Sequence, residues 1–304
     1  MKKTIMVVCL LGFALAAIPA QSDPFGLLGG LKDTIKKTGV DPDKAIDSVK
    51  KVDQAIQKSA EDITPEQEYY IGRSVAANVL AQYKAFDREQ ANQYLNIVVK
   101  NLSLHSLRPE TFGGYHALIL DSDQINAFGA PGGLILVTRG MLRCCSTETE
   151  LAAVLAHEIS HIQYQHGLKA IKNDRLTSVF AVVGTEVASN LGNEDVQKLT
   201  TAFGGSITDI TKTLIGSGYA RDLEVQADQG AVDTLIASGY NPAGLVSMLT
   251  QMKKNLKSGG IDFAKTHPSP DERIRTVRLK IGKIQDLPES PAMTARFHAA
   301  LDGI

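Results

Sequence analysis

HEISH, residues 157–161, is the stretch around which this 304-residue chain is organised. The preceding ELAAVLA, residues 150–156, is rich in strong helix formers, so the whole segment is predicted to be helical. Because a helix advances by ~100° per residue, His157 and His161 should lie on one face, one turn apart. Their imidazoles can then reach a single zinc ion, and Glu158 beside them can take a proton from an activated water.

A catalytic zinc needs a third protein ligand, and Glu224 is the best candidate. It lies in RDLEVQAD, residues 221–228, four positions before Asp228. On a helix the two acids share a face, so Asp228 can accept the free N–H of a ligating imidazole. Two acids at this spacing are usually a solvated helix face. After a helix that carries HEISH, they favour a metal ligand and its supporting acid.

A histidine just after the stretch is a weaker candidate for the third ligand. In metzincins this ligand lies six residues past the second histidine, and that position here is Gly167. His166 comes one residue earlier and would point to another face of a continued helix. We therefore expect His166 at the surface.

Composition excludes some classes of function. The chain has 32 basic and 33 acidic residues, a net charge of −1, and no basic cluster interleaved with aromatic residues, so no nucleic-acid partner is predicted. Cys144 and Cys145 are neighbours and are expected to be small buried residues without a mutual disulfide, because the ring that the bond closes would be strained.

The N-terminus predicts export. Lys2 and Lys3 precede an apolar run over residues 5–17 that is short for a membrane span, which indicates a signal peptide over residues 1–20. A retained membrane anchor is the alternative. The periplasm is the expected location. Residues 25–37 carry a short amphipathic pattern, which fits either a peripheral membrane contact or packing on the protein itself.

Periodicity along the chain predicts an α+β fold. Amphipathic helices dominate, and two short strands, at 115–120 and 134–138, precede the HEISH helix. The expected architecture is a mainly helical zincin-like domain with a small sheet beside that helix. The predicted boundaries are an N-terminal helical extension at 21–60, a main domain at 61–285 and a C-terminal tail at 286–304.

The second strand is a candidate substrate site. If its edge is free, Leu134, Ile135, Leu136 and Val137 can pair with an extended polypeptide by strand addition. The alternative is an ordinary core strand with covered edges. Strand addition involves mainly the backbone, so it would accept many unfolded sequences.

Several stretches together resemble the M48 family of zinc metallopeptidases, and within it the exported bacterial gluzincins. They occur in order between residues 64 and 280: 64–68, 126–128, 131–133, 137–140, 150–161, 221–228, 239–242 and 266–268. The chain departs from the family pattern at Gly129, where many members carry a larger apolar residue, and at Ser160, where glycine is frequent. Neither position belongs to the ligand set.

The resemblance implies roles for individual residues. His157, His161 and Glu224 would bind one zinc ion per chain, Glu158 would be the catalytic base, and Asp228 would support a ligand. His267 and Arg273, which match a His-Pro…Arg element, would donate to the oxyanion of the transition state. His267 could instead occupy the open zinc position at rest and block the site.

These features predict a zinc metalloendopeptidase that cleaves unfolded or damaged exported proteins, in envelope protein quality control. The alternative is a latent or chaperone-like zinc protein that binds unfolded chains with little proteolysis. Glu158 favours the enzyme, because a structural zinc site needs no base.

Overall fold

The computed structural model describes residues 63–169, 205, 207–255, 269–283 and 289–304. All of them belong to one unit, Ile63–Ile304. The helices, in chain order, are α1 (Pro65–Leu80), α2 (Glu89–Leu104), α3 (Arg139–Cys144), α4 (Glu148–Gln163), α5 (His166–Lys169), α6 (Arg221–Ala237), α7 (Ala243–Asn255), α8 (Pro270–Ile281) and α9 (Pro291–Leu301). The remaining elements are β1 (His116–Leu120), β2 (Ala127–Ala130), β3 (Leu134–Thr138), a short turn at Pro131–Gly133 and a π-helical turn at Thr213–Ser217. The predicted α+β class, mainly helical with a small sheet, is confirmed.

Local sequence determines where the helices begin. At α1, the Thr64 hydroxyl accepts the N–H of Gln67 and the Gln67 side chain accepts the N–H of Thr64, which together form a capping box. At α4, Thr147 accepts the N–H of Glu150, and the Glu150 carboxylate accepts the N–H of Ser146. The start of α4 is therefore fixed, and with it the direction in which the helix presents its two histidines.

The sheet has the order β1-β3-β2, with β1 parallel and β2 antiparallel to β3. β3 is thus the central strand, and its backbone pairs on both sides. The prediction that Leu134, Ile135, Leu136 and Val137 offer a free edge to substrate is wrong for this reason. The alternative, a core strand with covered edges, is what the structure has.

The sheet is buried on both faces. Ile135 and Val137 lie in one apolar cluster with residues of α2 and α4, whereas Leu136 lies in a second cluster with residues of α1. Side chains alternate across a strand, so β3 alone supplies both clusters. Phe128 of β2 belongs to the second cluster, which leaves Gly129 on the side of α4.

The HEISH helix, α4, is the centre of the larger cluster. Every residue over 150–162 is buried, and α2, α6 and α7 pack around them. Leu151, Leu155 and Ile159 have no exposed surface. Burial of each contributes about 1.5–3 kcal/mol. The polar residues of α4 are consequently held by a tightly packed helix.

Part of the predicted tail at 286–304 is a packed helix. α9 buries Phe297 and Leu301 in the larger cluster. Just before α9, the Glu289 carboxylate accepts the N–H of Thr149, 2.6 Å away, in the first turn of α4. Glu289 thereby satisfies a free backbone donor at the start of the HEISH helix.

Three predictions fall on residues 1–62, outside the described part of the chain: the signal peptide, the N-terminal extension and the amphipathic segment at 25–37. Within the described ranges, no helix combines the length and apolarity that crossing a membrane requires. Cys144 and Cys145 are buried free thiols, as expected.

Candidate metal centre

α4 directs His157 and His161 into the interior. Each is 1% exposed. Their rings meet edge to face with centroids 4.7 Å apart, and their Nε2 atoms lie 3.1 Å apart. The spacing of one helical turn therefore presents two nitrogen donors at one point.

Glu224 brings a carboxylate to the same point from the first turn of α6. Its Oε2 lies 3.6 Å from Nε2 of His157, and its Oε1 lies 3.4 Å from Nε2 of His161. One ligand atom from each of the three residues lies within 4.8 Å of the other two. α6 packs directly on α4, so a contact between two helices assembles the cluster.

Asp228, one turn further along α6, holds the other side of His157. Its Oδ1 lies 3.0 Å from Nδ1 of His157. Arg273 of α8 donates to Asp228 through Nε at 2.9 Å and through a terminal nitrogen at 2.6 Å, and that nitrogen lies 3.2 Å from the same Nδ1. One ring nitrogen cannot both donate and accept. Since Asp228 is an obligate acceptor, Nδ1 carries the proton, Asp228 receives it, and Arg273 serves Asp228.

The cluster fits a cation. With its proton on Nδ1, His157 directs an Nε2 lone pair toward His161 and Glu224, where there is little solvent to separate the donors. Burial and Arg273 lower the pKa of His157, but hydrogen bonds to Asp228 and Glu224 prevail and raise that pKa to about 9. Electron-pair donors that converge in a buried place need a positive charge between them, and a proton or a metal ion can supply it.

Glu158 occupies the neighbouring position on α4 and is 2% exposed. Burial raises the pKa of its carboxyl to about 7, while nearby His157 and the N–H of Gly129 lower it. Its Oε1 has no hydrogen-bond partner among the described residues. A buried carboxyl with a pKa near neutrality and one uncommitted oxygen is suited to exchange protons.

Gly129 explains why β2 can approach α4 so closely. A Cβ atom at this position would lie 2.7 Å from the backbone oxygen of Glu158 and 3.2 Å from its Oε2. The absence of a side chain lets the backbone of β2 reach the carboxylate of Glu158. At this departure from the family pattern, a larger residue would displace the candidate base.

The expectation that His166 lies at the surface is wrong. His166 has no exposed surface, and its Nδ1 lies 2.9 Å from Nδ1 of His161. The expectation assumed a continuous helix, but α4 ends at Gln163 and the chain turns through Gln165, which has a φ of 55°. This reversal brings His166 back against α4.

Tyr219 is a second residue that sequence reasoning missed. Its ring stacks on that of His161, with centroids 4.3 Å apart and planes inclined by 19°. Burial raises the pKa of its phenol far above the usual value. Tyr219 belongs to no motif. It lies two residues before α6, the helix that carries Glu224 and Asp228, and this position was the available clue to its place in the site.

The two remaining predicted site residues have different outcomes. Arg273 is 3% exposed and its identified contacts are with Asp228 and His157, in the interior beside the ligands. Its predicted role as an oxyanion donor stays a prediction. His267 lies in the segment 256–268, outside the described residues, so both hypotheses for it also stay open.

Comparisons with known proteins identify the family of the chain. The profile of peptidase family M48 matches residues 89–280. The beta-barrel assembly-enhancing protease of Escherichia coli (strain K12) is 25% identical over 197 residues, which are 64% of this chain and 40% of that protein. Metalloprotease LoiP of the same strain is 25% identical over 154 residues, 51% of this chain and 58% of LoiP. Mitochondrial metalloendopeptidase OMA1 of Schizosaccharomyces pombe is 29% identical over 154 residues, 50% of this chain and 42% of OMA1.

The match to each of these relatives covers less than two thirds of the relative's own length. The family profile covers well over half of this chain and includes α4, α6 and most of α8, which carry the ligand cluster and Arg273. The resemblance inferred from the sequence is confirmed, and the chain belongs to peptidase family M48.

Proposed function

We propose that this protein is a zinc-dependent metalloendopeptidase that hydrolyses peptide bonds in unfolded or damaged exported proteins, as part of envelope protein quality control. The observation that carries the proposal is the buried convergence of His157, His161 and Glu224, with Glu158 beside them. The relatives support it, because their names describe proteases and metallopeptidases.

The donor set favours zinc. Two imidazole nitrogens and one carboxylate oxygen form a ligand set that catalytic zinc sites use, in which one position stays open. When bound by His157, His161 and Glu224, the ion supplies a Lewis acid for the scissile carbonyl and lowers the pKa of water. The family implies a metal, and we propose one zinc ion per chain.

Glu158 would be the catalytic base. Its carboxylate takes a proton from the attacking water and later delivers it to the leaving amine. The raised pKa, about 7, suits both transfers, because the group gains and loses a proton near neutral pH. Asp228 and Arg273 would keep the ring of His157 oriented and would not touch substrate.

The burial of the centre supports unfolded substrates. Glu224 is 0% exposed and Glu158 is 2% exposed. An extended polypeptide can bring a single peptide bond to a buried centre, whereas the surface of a folded protein cannot. Since β3 is fully paired, the substrate must bind elsewhere than along its edge.

Cleavage of unfolded casein tests the proposal against a chaperone-like protein. We expect wild type to cleave casein and Glu158→Gln to lose cleavage while it keeps its metal. If both variants carry one zinc ion and neither cleaves, while both suppress aggregation of an unfolded protein, the chaperone-like alternative is correct.

The role of His267 is also part of the proposal, and the variant His267→Ala tests it. A large loss of casein cleavage supports a donor to the transition state, and a gain supports a residue that blocks the resting site. An activity equal to that of wild type contradicts both hypotheses.

We further propose that the protein is exported to the periplasm. The basic and apolar start of the sequence supports this location. Mass spectrometry of protein from a cell envelope fraction should find a mature N-terminus near residue 21. A full-length N-terminus would favour a retained anchor.

Peripheral membrane contact through residues 25–37 can be tested on the same fractions by salt extraction.

A further inference from the structure

We propose that His166 and Gln226 are positioning residues, which form a two-step hydrogen-bond relay that orients the ring of His161. The inference rests on the proposed metal centre, in which His161 is a ligand. Neither residue takes part in the ligand set or in the proposed proton transfers.

The relay is a continuous chain of contacts. Nδ1 of His161 lies 2.9 Å from Nδ1 of His166, and Nε2 of His166 lies 3.0 Å from the amide oxygen of Gln226. His166 has no exposed surface, while Gln226, on α6, is half-buried. α6 therefore supports both ligating histidines, His157 through Asp228 and His161 through Gln226.

The amide oxygen of Gln226, at the end of the relay, determines which ring nitrogens of His166 and His161 carry protons. An amide oxygen only accepts hydrogen bonds, so Nε2 of His166 must carry a proton and donate it to Gln226. Nδ1 of a neutral His166 is then an acceptor, and it receives the Nδ1–H of His161. This leaves Nε2 of His161 as a lone pair, directed at His157 and Glu224.

Aromatic rings restrict the middle of the relay. Tyr164 stacks on His166 with centroids 5.7 Å apart and planes inclined by 23°, and Tyr219 lies 5.8 Å from it at 60°. A ring enclosed in this way has little freedom to rotate, so the hydrogen bonds of the relay are in place before a metal ion binds.

The two histidine ligands consequently have different supports. His157 donates to the carboxylate of Asp228, which Arg273 neutralises, whereas His161 donates to an uncharged chain. A neutral acceptor orients an imidazole without adding another negative charge beside Glu158 and Glu224. The relay thus positions the ligand without a further increase in the negative charge of the buried site.

Zinc affinity, measured by competition with a chromogenic chelator, tests the relay. We expect His166→Phe and Gln226→Met each to weaken zinc binding by about 10- to 100-fold, because the first removes the acceptor of His161 and the second removes the acceptor that fixes His166. The double variant should be no weaker than His166→Phe, because Gln226 acts only through His166. Gln226→Glu, which keeps an acceptor oxygen and adds a negative charge, should not show this loss of affinity.

Gln163→Met is the matched control. Gln163, the last residue of α4, is also a half-buried glutamine, but its side-chain oxygen accepts the N–H of Leu107 and not a hydrogen bond from His166. The Gln163→Met variant should bind zinc as tightly as wild type. The d–d absorption of cobalt-substituted protein should change in Gln226→Met and stay unchanged in Gln163→Met.

The outcomes separate this inference from the proposed function. Wild type that binds no zinc contradicts the metal centre and the relay with it. Wild type that binds zinc, with Gln226→Met and His166→Phe equally tight, contradicts the relay alone. Additive losses in the double variant also contradict it. Should His166→Phe fail to fold, Gln226→Met at its half-buried position still decides the question.

Discussion

Replacing Arg273 by methionine should leave the buried carboxylate of Asp228 without its arginine partner. Asp228 is 1% exposed and Arg273 is 3% exposed, and they are joined by hydrogen bonds of 2.9 and 2.6 Å. Removal of one partner from a buried ion pair costs about 3–5 kcal/mol, because the remaining charge has lost its compensation. We expect Arg273→Met to lower the free energy of unfolding by this amount.

Lys280→Met is the matched control. Lys280 and Asp233 join the same two helices, α8 and α6, with a separation of 2.9 Å, but their side chains are 36% and 59% exposed. Exposed ion pairs contribute about 0–1 kcal/mol. Both substitutions introduce methionine on α8, so the difference between them isolates the effect of burial.

Urea denaturation in a Glu158→Gln background, which prevents self-cleavage, measures both variants. Burial raises the pKa of Asp228, but Arg273 and His157 outweigh it and hold that pKa well below the usual range. In wild type, Asp228 therefore stabilises the fold above the pH at which the unfolded carboxyl titrates, and this contribution is lost as pH falls through the lower folded pKa. Without Arg273, burial raises the folded pKa above the unfolded value of about 3.9, so the deficit of Arg273→Met should begin to shrink above about pH 4 and should shrink further as the pH falls below it. An effect no larger than that of Lys280→Met would refute the reasoning, as would a deficit that does not change with pH.

Three further predictions concern the base, its pH dependence and the cysteines. Gly129→Ala should lower kcat/KM by up to about 100-fold at unchanged zinc content, because the new Cβ would lie 2.7 Å from the backbone oxygen of Glu158 and 3.2 Å from its Oε2 and would displace the base, whereas Gly216→Ala, whose Cβ meets nothing within 4 Å, should be silent; equal activities of the two variants would disprove this. The kcat/KM for a fluorogenic peptide should fall on acidification with an apparent pKa between about 5 and 7, because Glu158 must be ionised to act as a base and a bound cation brings its pKa down from about 7; a profile that is flat between pH 5 and 8 would speak against Glu158 as the base. Burial raises the pKa of the thiols of Cys144 and Cys145, so a thiol reagent should titrate both only after denaturation, and rapid labelling of the native protein would contradict their burial.

The parts of the site that lie on single helices were predictable from the sequence. His157 and His161, and likewise Glu224 and Asp228, are four residues apart, so helical periodicity alone places each pair on one face. The caps of α1 and α4 follow from side-chain chemistry over three residues, which also needs no tertiary information.

The contacts between distant elements were not predictable in this way. Whether Leu134–Thr138 is an edge or a central strand depends on which strands pair with it, and β1 pairs with it across the intervening β2. The burial of His166 depends on where α4 ends, and a single residue with positive φ reverses the chain there. The support of α4 by Glu289 joins residues that are 140 positions apart.

Arg273 shows a third kind of limit. Its family motif marked it as a site residue but gave no partner, and a role in the transition state was one interpretation. Its partner is Asp228, which is 45 residues away on another helix. The residue type was therefore predictable, whereas its contact required the packing of α8 against α6.

The zinc content of wild type, Glu224→Ala and Asp222→Ala tests the central claim most directly. Glu224 is buried in the ligand cluster, and Asp222, in the same turn of α6, is exposed. Metal analysis after dialysis against a weak chelator should find one zinc ion per chain in wild type and Asp222→Ala, and very little in Glu224→Ala. Zinc retained at full stoichiometry by Glu224→Ala, or absent from wild type, would contradict the centre built from His157, His161 and Glu224.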